Sequence, residues 1–406
     1  MTGPAHDLIV FGATSFAGQI LCRHLVDRHG VDGPFRWAMA GRNEAKLDRV
    51  AAETGADVPR IVADSSDRAA MDALCASSRV VVSTVGPYAL HGSPLVAAAA
   101  ANGTDYCDIT GEPHWMRSMI DEHQAVAAGS GSRIVHACGF DSIPSDLGVA
   151  FTQAQAVERF GAPCTSIGMR VKAMKGGASG GTVATMVNVV GEVRGDPSLR
   201  SVLTNPYALA PEGQRKGVRQ PNVSKPQRDA LSDTWVAPFL MASVNTRVVH
   251  RSHALSGRPW GEAFTYDEAM MTGEGPLGAA RAAALTGGIG GFIGLASVGP
   301  VRSLLEKHVL PKPGDGPDPA EQEAGFYDLR FFGRTDDGET ITVKVTGDRD
   351  PGYGSTAKML GEAAVAIASL PKGEPAGGFW TPATALGLPF VDRLEAHAGL
   401  TFSVID

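Results

Sequence analysis

Three side chains in the first half of this 406-residue sequence stand where a proton could be passed to a bound substrate. Tyr88 and His91 follow the run Val80-Val-Val-Ser-Thr-Val-Gly-Pro87, and Asp141 sits in Cys138-Gly-Phe-Asp-Ser-Ile-Pro-Ser-Asp146. A phenol, an imidazole and a carboxyl all serve as general acids, and Tyr88 is the first choice, with His91 and Asp141 behind it. Glu112 and Ser142 lie in the same loops as further site-lining candidates. For each of these residues a plain loop or capping role is the competing reading. Asp146 reads as a cap or a solvent-facing acid.

A second set of residues suits an anion. Asp7-Leu-Ile-Val-Phe-Gly-Ala-Thr-Ser-Phe-Ala-Gly18 is an apolar run, a glycine turn and the start of a helical pattern. Gly12 allows the turn, Gly18 lets helix and strand pack closely, and the helix N-terminus faces a pyrophosphate. Thr14, Ser15 and Phe16 complete that turn. Ser15 stands where the usual pattern has glycine, so Thr14 and Ser15 are expected to donate hydroxyls to phosphate. Glycine turns also join strands to helices with no ligand, but the strand-before, helix-after context is the required one. The next strand ends in Ala40-Gly-Arg-Asn-Glu-Ala-Lys46. An NAD site would carry an acid there for the ribose hydroxyl. Arg42 and Lys46 instead suit the 2′-phosphate of NADP. Asp64 is placed to meet the adenine or to cap, and Thr84 and Gly86 to pass beside ribose and nicotinamide.

These residues need a parallel sheet to bring them together. Strands are expected at Leu8–Phe11, Trp37–Ala40, Ile61–Ala63, Val80–Thr84, Asp105–Asp108 and Ile134–Ala137, with helices between them. Asn43 is expected to cap one helix, and Ser93 another before Pro94. Such alternation predicts an α/β protein with a Rossmann-type, doubly wound parallel sheet, whose ligands lie at the carboxyl ends of the strands. Three parts are expected: residues 1–150 bind NADP, residues 151–350 form a substrate- or lipid-associated α+β domain with a mixed or antiparallel sheet, and residues 351–406 form a helical segment packing back on the first domain. Within the second part, Thr165–Ala173 reads as a strand, and Phe326–Arg334 with Thr340–Gly347 as a hairpin. The glycine loop 176–181 could open an anion-binding helix. Residues 205–235 read as a surface loop or lid. Arg247, His250, Arg251 and His253 read as an anion-neutralising cluster or a solvated face.

Composition narrows the function further. Lys plus Arg is 36 against 43 Asp plus Glu, a net charge of -7, so no basic field suits nucleic acid. The five cysteines show no paired spacing and read as reduced, small buried residues of a cytoplasmic protein, with no metal cluster. The N-terminus lacks the pattern of a secretory signal. Ala282–Val301 carries no charge and six glycines, too poor in large apolar residues for a good membrane span. A packing face, an acyl-chain floor or an interfacial patch on the inner membrane face fits better, flanked by Arg281 and the 302–308 segment. No Tyr-x-x-x-Lys pattern of the short-chain reductases occurs; Tyr353 has its lysine five residues on, at Lys358.

Together, Asp7–Gly18, Ala40-Gly-Arg42, Val85-Gly-Pro-Tyr88, Asp105–Glu112, Gly139–Asp146, Pro311-Lys-Pro-Gly314, Gly325-Phe, Phe331-Phe-Gly-Arg334 and Trp380-Thr-Pro-Ala383 resemble the saccharopine-dehydrogenase-like oxidoreductases. The chain is most similar to the mycobacterial and actinobacterial trans-acting enoyl reductases. The resemblance implies an NADPH-dependent reductase that transfers hydride to an α,β-unsaturated acyl thioester in polyketide-derived lipid or glycolipid biosynthesis. It implies a polyketide synthase that carries the acyl group, and it carries over Gly12, Thr14, Ser15, Gly18 and Arg42 as cofactor positions. It supplies no catalytic residue. The alternatives are imine or carbonyl reduction of a small acid, and a lipid-associated dinucleotide-binding protein without catalysis; a homo-oligomer is left open.

Overall fold

A computed structural model describes residues 4–176, 191–192, 195–196, 199–296 and 316–406. The expectations for Gly177–Gly181, for 297–308 and for Pro311–Gly314 lie outside the described residues. The first sheet is parallel and seven-stranded, with the order β13-β6-β5-β4-β1-β2-β3. Its strands are β1 His6–Phe11, β2 Trp37–Gly41, β3 Arg60–Val62, β4 Ser78–Ser83, β5 Asp105–Asp108, β6 Arg133–Val135 and the late β13 Gly378–Trp380. Leu8, Ile9 and Val10 are fully buried because β1 is central and covered on both faces, as its unbroken apolar run requires. It pairs with β2 (Leu8↔Trp37) on one side and β4 (Leu8↔Val80) on the other. The chain order reverses between β1 and β4, which makes their carboxyl ends the switch point of the sheet.

The connecting helices are α1 Phe16–His29, α2 Glu44–Thr54, α3 Arg68–Ala76, α4 Tyr88–His91, α5 Ser93–Asn102 and α6 Pro113–Ser130. One core lies on the α1 and α2 face and another under α3, α5 and α6. Helix α7, Ile143–Phe160, leads to the second sheet, ordered β14-β12-β11-β7-β10-β9-β8. Its strands are β7 Cys164–Lys175, β8 Gln227–Arg228, β9 Trp235–Pro238, β10 Thr265–Gly273, β11 Phe326–Thr335, β12 Thr340–Gly347 and β14 Leu400–Val404. Only β7 and β10 pair in parallel; the other neighbours are antiparallel, so the sheet is mixed.

Five further helices are described: α8 Leu199–Thr204, α9 Ala242–Leu255, α10 Gly275–Ala296, α11 Pro319–Glu323 and α12 Gly354–Ser369, followed by the short α13 Pro382–Leu386 and α14 Pro389–His397. Helix α12 packs on α1 and on β1, β4 and β5 of the first sheet, whereas β14 joins the second sheet. The last fifty residues thus stitch the two halves together. Helix α9 is buried at the junction, contrary to a solvated cationic face: Arg247 donates to the Val202, Ser243 and Leu203 carbonyls, and Arg251 to those of Leu209 and Phe379. These guanidiniums close the exposed carbonyls of α8 and the following loop, so they hold backbone. All five cysteines are free and buried. No helix among the described residues is long and apolar enough to cross a membrane.

Candidate active site

The turn after β1 is built for close approach. Gly12 has φ +90, and a Cβ there would stand 2.6 Å from Val85 Cγ2 and 2.8 Å from Thr84 Oγ1. A Cβ on Gly18 would meet the Gly12 carbonyl oxygen at 2.2 Å. Ser15 is the N-cap of α1, its Oγ accepting from Gly18 N at 2.9 Å. That oxygen also bonds Thr84 Oγ1 at 2.8 Å, and Thr84 donates to the Gly12 carbonyl at 2.9 Å. The expected donation of the Ser15 hydroxyl to phosphate is therefore corrected: its hydrogen bonds cap the helix and tie β1 to β4. Phosphate is left the backbone N–H groups of Thr14, Phe16 and Ala17, which have no acceptor among the described residues. The first turn of α1 carries no acid to compete with an anion. The Phe16 ring points elsewhere, edge-on to Tyr353 at 4.8 Å and against Gly316.

At the end of β2, Arg42 and Lys46 are exposed and neither side chain has a protein partner among the described residues. Asn43 caps α2, accepting from Lys46 N at 2.9 Å, which fixes Arg42 just ahead of the helix. Asp64 closes its own turn on Ser66, through N at 2.9 Å and Oγ at 2.8 Å. Those bonds, and then nearby Arg42, hold its carboxyl below the usual range. Arg42 feels the field of Asp64 but makes no ion pair among the described residues, so an anionic ribose substituent between Arg42 and Lys46 would be their direct counter-charge. The turn and these cations together fit NADP.

Beyond Gly86, the first-choice acid is lost. Tyr88 is buried, its hydroxyl donates to the Ser83 carbonyl at 2.9 Å, and it accepts from Ile109 N at 3.3 Å. Burial raises its pKa far above 10. Tyr88 therefore pins β4 to β5 and has no free proton for a substrate. Glu112 is also structural: its carboxylate caps α4, accepting from Tyr88 N at 2.7 Å and Ala89 N at 3.0 Å. Ser93 does not cap α5; its hydroxyl accepts from Trp115 Nε1 at 2.9 Å. His91 is exposed on α4, near enough to Asp64 to act on its charge, which places it toward the Arg42 side.

Asp141 is different. It lies in the loop after β6, and its Oδ2 borders the open Cβ position of Gly111, 3.4 Å away. Its Oδ1 is buried without a partner among the described residues, as is the adjacent Ser142 Oγ. Asp141 keeps partial solvent contact, yet surrounding protein raises its pKa to about 7, with Glu268 adding repulsion. Asp146 is buried rather than solvated: it accepts from the Ser252 hydroxyl at 2.5 Å and from Ala383 N at 2.8 Å, capping α13. Burial still pushes it up to about 6.

The sequence reading missed the other side of this junction. Glu268 of β10 is buried, accepting from the Tyr266 hydroxyl at 2.7 Å and from Asn245 Nδ2 at 3.0 Å. Its local signal was weak: an acid two residues from a tyrosine, in a strand that also carries Asp267. Also missed was Asp108, which bonds His136 Nδ1 at 2.7 Å and Tyr106 at 2.9 Å. The β5–β6 register, Cys107↔Val135, sets that pair side by side at the strand ends.

Residues 8–135 match the family described as the saccharopine dehydrogenase NADP binding domain. A protein of Mycobacterium tuberculosis named as a trans-acting enoyl reductase is 40% identical over 404 residues, covering 96% of this chain and 95% of its own. The chain belongs to the trans-acting enoyl reductase family. A Mycobacterium bovis trans-acting enoyl reductase is 37% identical over 403 residues, with 96% and 95% covered. Among solved structures, apo saccharopine dehydrogenase (L-Glu forming) from Saccharomyces cerevisiae shares the fold, with a TM-score of 0.55 at 13% identity over 98% of this chain and 99% of that one. The reductase is an NADP-dependent oxidoreductase.

Proposed function

We propose that this reductase saturates an α,β-unsaturated acyl thioester presented by a polyketide synthase, in the assembly of a polyketide-derived lipid or glycolipid. The bound NADPH supplies the hydride for the β-carbon. The protein's own task is to hold the thioester and to protonate its α-carbon. Asp141 is the acid in this reading: its carboxyl O–H bond breaks, the proton goes to the α-carbon of the substrate, and the electron pair stays on the carboxylate. Ser142 Oγ is the donor for the thioester oxygen as charge develops on it. The observation that carries the assignment is the pair of buried, unpartnered oxygens, Asp141 Oδ1 and Ser142 Oγ, at the carboxyl end of the first sheet facing the second domain. Unpaired buried polar atoms are uncommon in a native structure, and a substrate would satisfy them.

Asp141→Asn should lower turnover of a crotonyl thioester by about 100-fold or more, the usual scale for losing a general acid, with NADPH affinity kept. Turnover within threefold of wild type would remove Asp141 from the reaction. Screening enoyl, ketoacyl and imino acid substrates for NADPH oxidation separates this reading from imine or carbonyl reduction.

A lipid-facing role has its own observation. Helix α10 carries no charged side chain from Ala282 to Leu295, and Leu277 and Leu295 are 61% and 52% exposed. Such a face suits contact with a bilayer surface or a long acyl chain. Co-sedimentation with anionic vesicles, compared with a Leu277→Glu, Leu295→Glu variant, tests the membrane arm.

A further inference from the structure

The glycines along the carboxyl edge of the first sheet are of two kinds. Gly12, Gly18 and Gly139 are required by packing: a Cβ would stand 2.6 Å from Val85, 2.2 Å from the Gly12 carbonyl oxygen and 2.8 Å from Thr356, respectively. Gly41 at the end of β2, Gly86 beyond β4 and Gly111 beyond β5 are not. None of these three has a positive φ. A Cβ on each would meet its nearest atom at 3.5, 3.6 and 3.4 Å, which is ordinary van der Waals contact. Neither backbone nor packing therefore demands glycine there, and a further reason for one is a ligand that runs close against the main chain. Strands β2, β1, β4 and β5 are neighbours in that order, so Gly41, Gly12, Gly86 and Gly111 follow one another across the switch point. The first three border the strand ends that suit NADP. Gly111 lies one strand further, beside the Asp141 loop.

Gly111 is half-buried and its surroundings are fixed. Thr110 and Glu112 on either side are fully buried. Thr110 N donates to Asp108 Oδ1 at 3.1 Å, Glu112 N donates to Thr110 Oγ1 at 3.2 Å, and the Glu112 carboxylate is held by Tyr88 N and Ala89 N. The Gly111 N–H has no acceptor among the described residues. The two atoms nearest its Cβ position come from different parts of the molecule: Asp141 Oδ2 at 3.4 Å, from the loop after β6, and Val244 Cγ2 at 3.9 Å, from α9. A side chain at 111 would thus fit without a clash, yet stand against the Asp141 carboxyl and narrow the gap to Val244.

We propose that Gly111 is a specificity-determining residue of the reduction: its bare face is the wall past which the α-carbon of the acyl thioester, with any group it carries, reaches Asp141. This rests on the proposed function for the identity of that carbon. A proton donor and the carbon it serves must come within about 3–3.5 Å. A methyl group held in contact with Asp141 Oδ2 takes up part of that approach, and a branched side chain takes up more.

Gly111→Ala and Gly111→Val test this, with crotonyl and 2-methylcrotonyl thioesters as probes. The denaturant midpoint should be kept in Gly111→Ala and NADPH affinity should stay within about twofold, because the change removes no cofactor contact. For the crotonyl thioester, kcat/KM should fall about tenfold in Gly111→Ala, the scale for one methyl-sized change in an apolar contact, and further in Gly111→Val. The 2-methylcrotonyl thioester carries its extra methyl on the α-carbon, so its kcat/KM should fall about tenfold more. A merely structural role would lower both substrates equally. The saturated butyryl thioester, titrated against the NADP-loaded protein, should bind about tenfold more weakly to Gly111→Ala, a readout that needs no turnover. Equal losses for the two thioesters overturn the proposal, as do unchanged kinetics and binding in both variants. So does a wild type that reduces crotonyl but not 2-methylcrotonyl thioester. If Gly111→Ala behaves as expected while Asp141→Asn keeps full turnover, the wall stands and the acid assignment falls. If butyryl binding weakens as expected but no enoyl thioester is reduced, the wall stands and the enoyl reading falls.

Discussion

At the scale of single residues, hydrogen bonds decide which candidates can react. Tyr88, His91 and Asp141 were all legible as acids on a sheet edge, Tyr88 first, but the sequence does not show where a hydroxyl spends its proton. Tyr88 donates to Ser83 and accepts from Ile109, so Tyr88→Phe should cost about 1–2 kcal/mol in denaturant unfolding, the usual cost of orphaning buried partners. Turnover per folded molecule should be kept; a large loss would return Tyr88 to the chemistry. Arg42 was legible because its role depends on one position after a strand. It has no partner of its own among the described residues, so Arg42→Ala should remove about 1.5–3 kcal/mol from NADPH binding, the range for a charged hydrogen bond, and little from NADH. Fluorescence titration with both nucleotides checks this, and equal losses would refute the phosphate role. Glu268 was hard to read for the opposite reason: its strand also carries Asp267, and Asn245, which holds one of its oxygens, comes from α9.

At the scale of elements, the first domain could be read because buried parallel strands are short apolar runs and helix caps are local. Asn43 caps α2 as its sequence context implies, whereas β13 has only three residues and no readable period. Helix α9 misled because its arginines look like a solvated face, yet they bind carbonyls of an adjoining segment. The turn after β1 shows how one element absorbs an apparent flaw. Ser15 stands in place of glycine because it caps α1 and clasps Thr84. Ser15→Gly should therefore cost about 0.5–1 kcal/mol of stability, a cap with one extra tie lost, while NADPH affinity changes less than threefold. A tenfold fall in affinity with unchanged stability would mean that the hydroxyl does touch phosphate.

At the scale of the whole molecule, buried groups of opposite kind set opposite limbs of stability. Asp141, Asp146 and Glu268 have raised pKa values, so each favours the folded state while protonated, and that contribution is lost as pH rises toward 6 to 7. His250 works the other way. It is buried beside Tyr207 and Phe264, both ring nitrogens without a partner among the described residues, and burial lowers its pKa to about 3. The neutral ring is the folded form, so its contribution is complete above the unfolded value near 6.5 and is lost as pH falls below it. At pH 5 the wild-type protein therefore forfeits about 2 kcal/mol through this one ring, since each pH unit below the unfolded value costs about 1.4 kcal/mol. His250→Phe keeps the ring stacking and removes the titration. Its stability relative to wild type should rise by about 2 kcal/mol between pH 7.5 and pH 5. Asp141→Asn should leave the His250 contribution unchanged and remove the loss that wild type shows between about pH 4 and 7. Chemical denaturation at several pH values measures both. Parallel curves for His250→Phe and wild type would show that His250 is hydrated or paired in solution, and that the pocket around it is wetter than its burial implies.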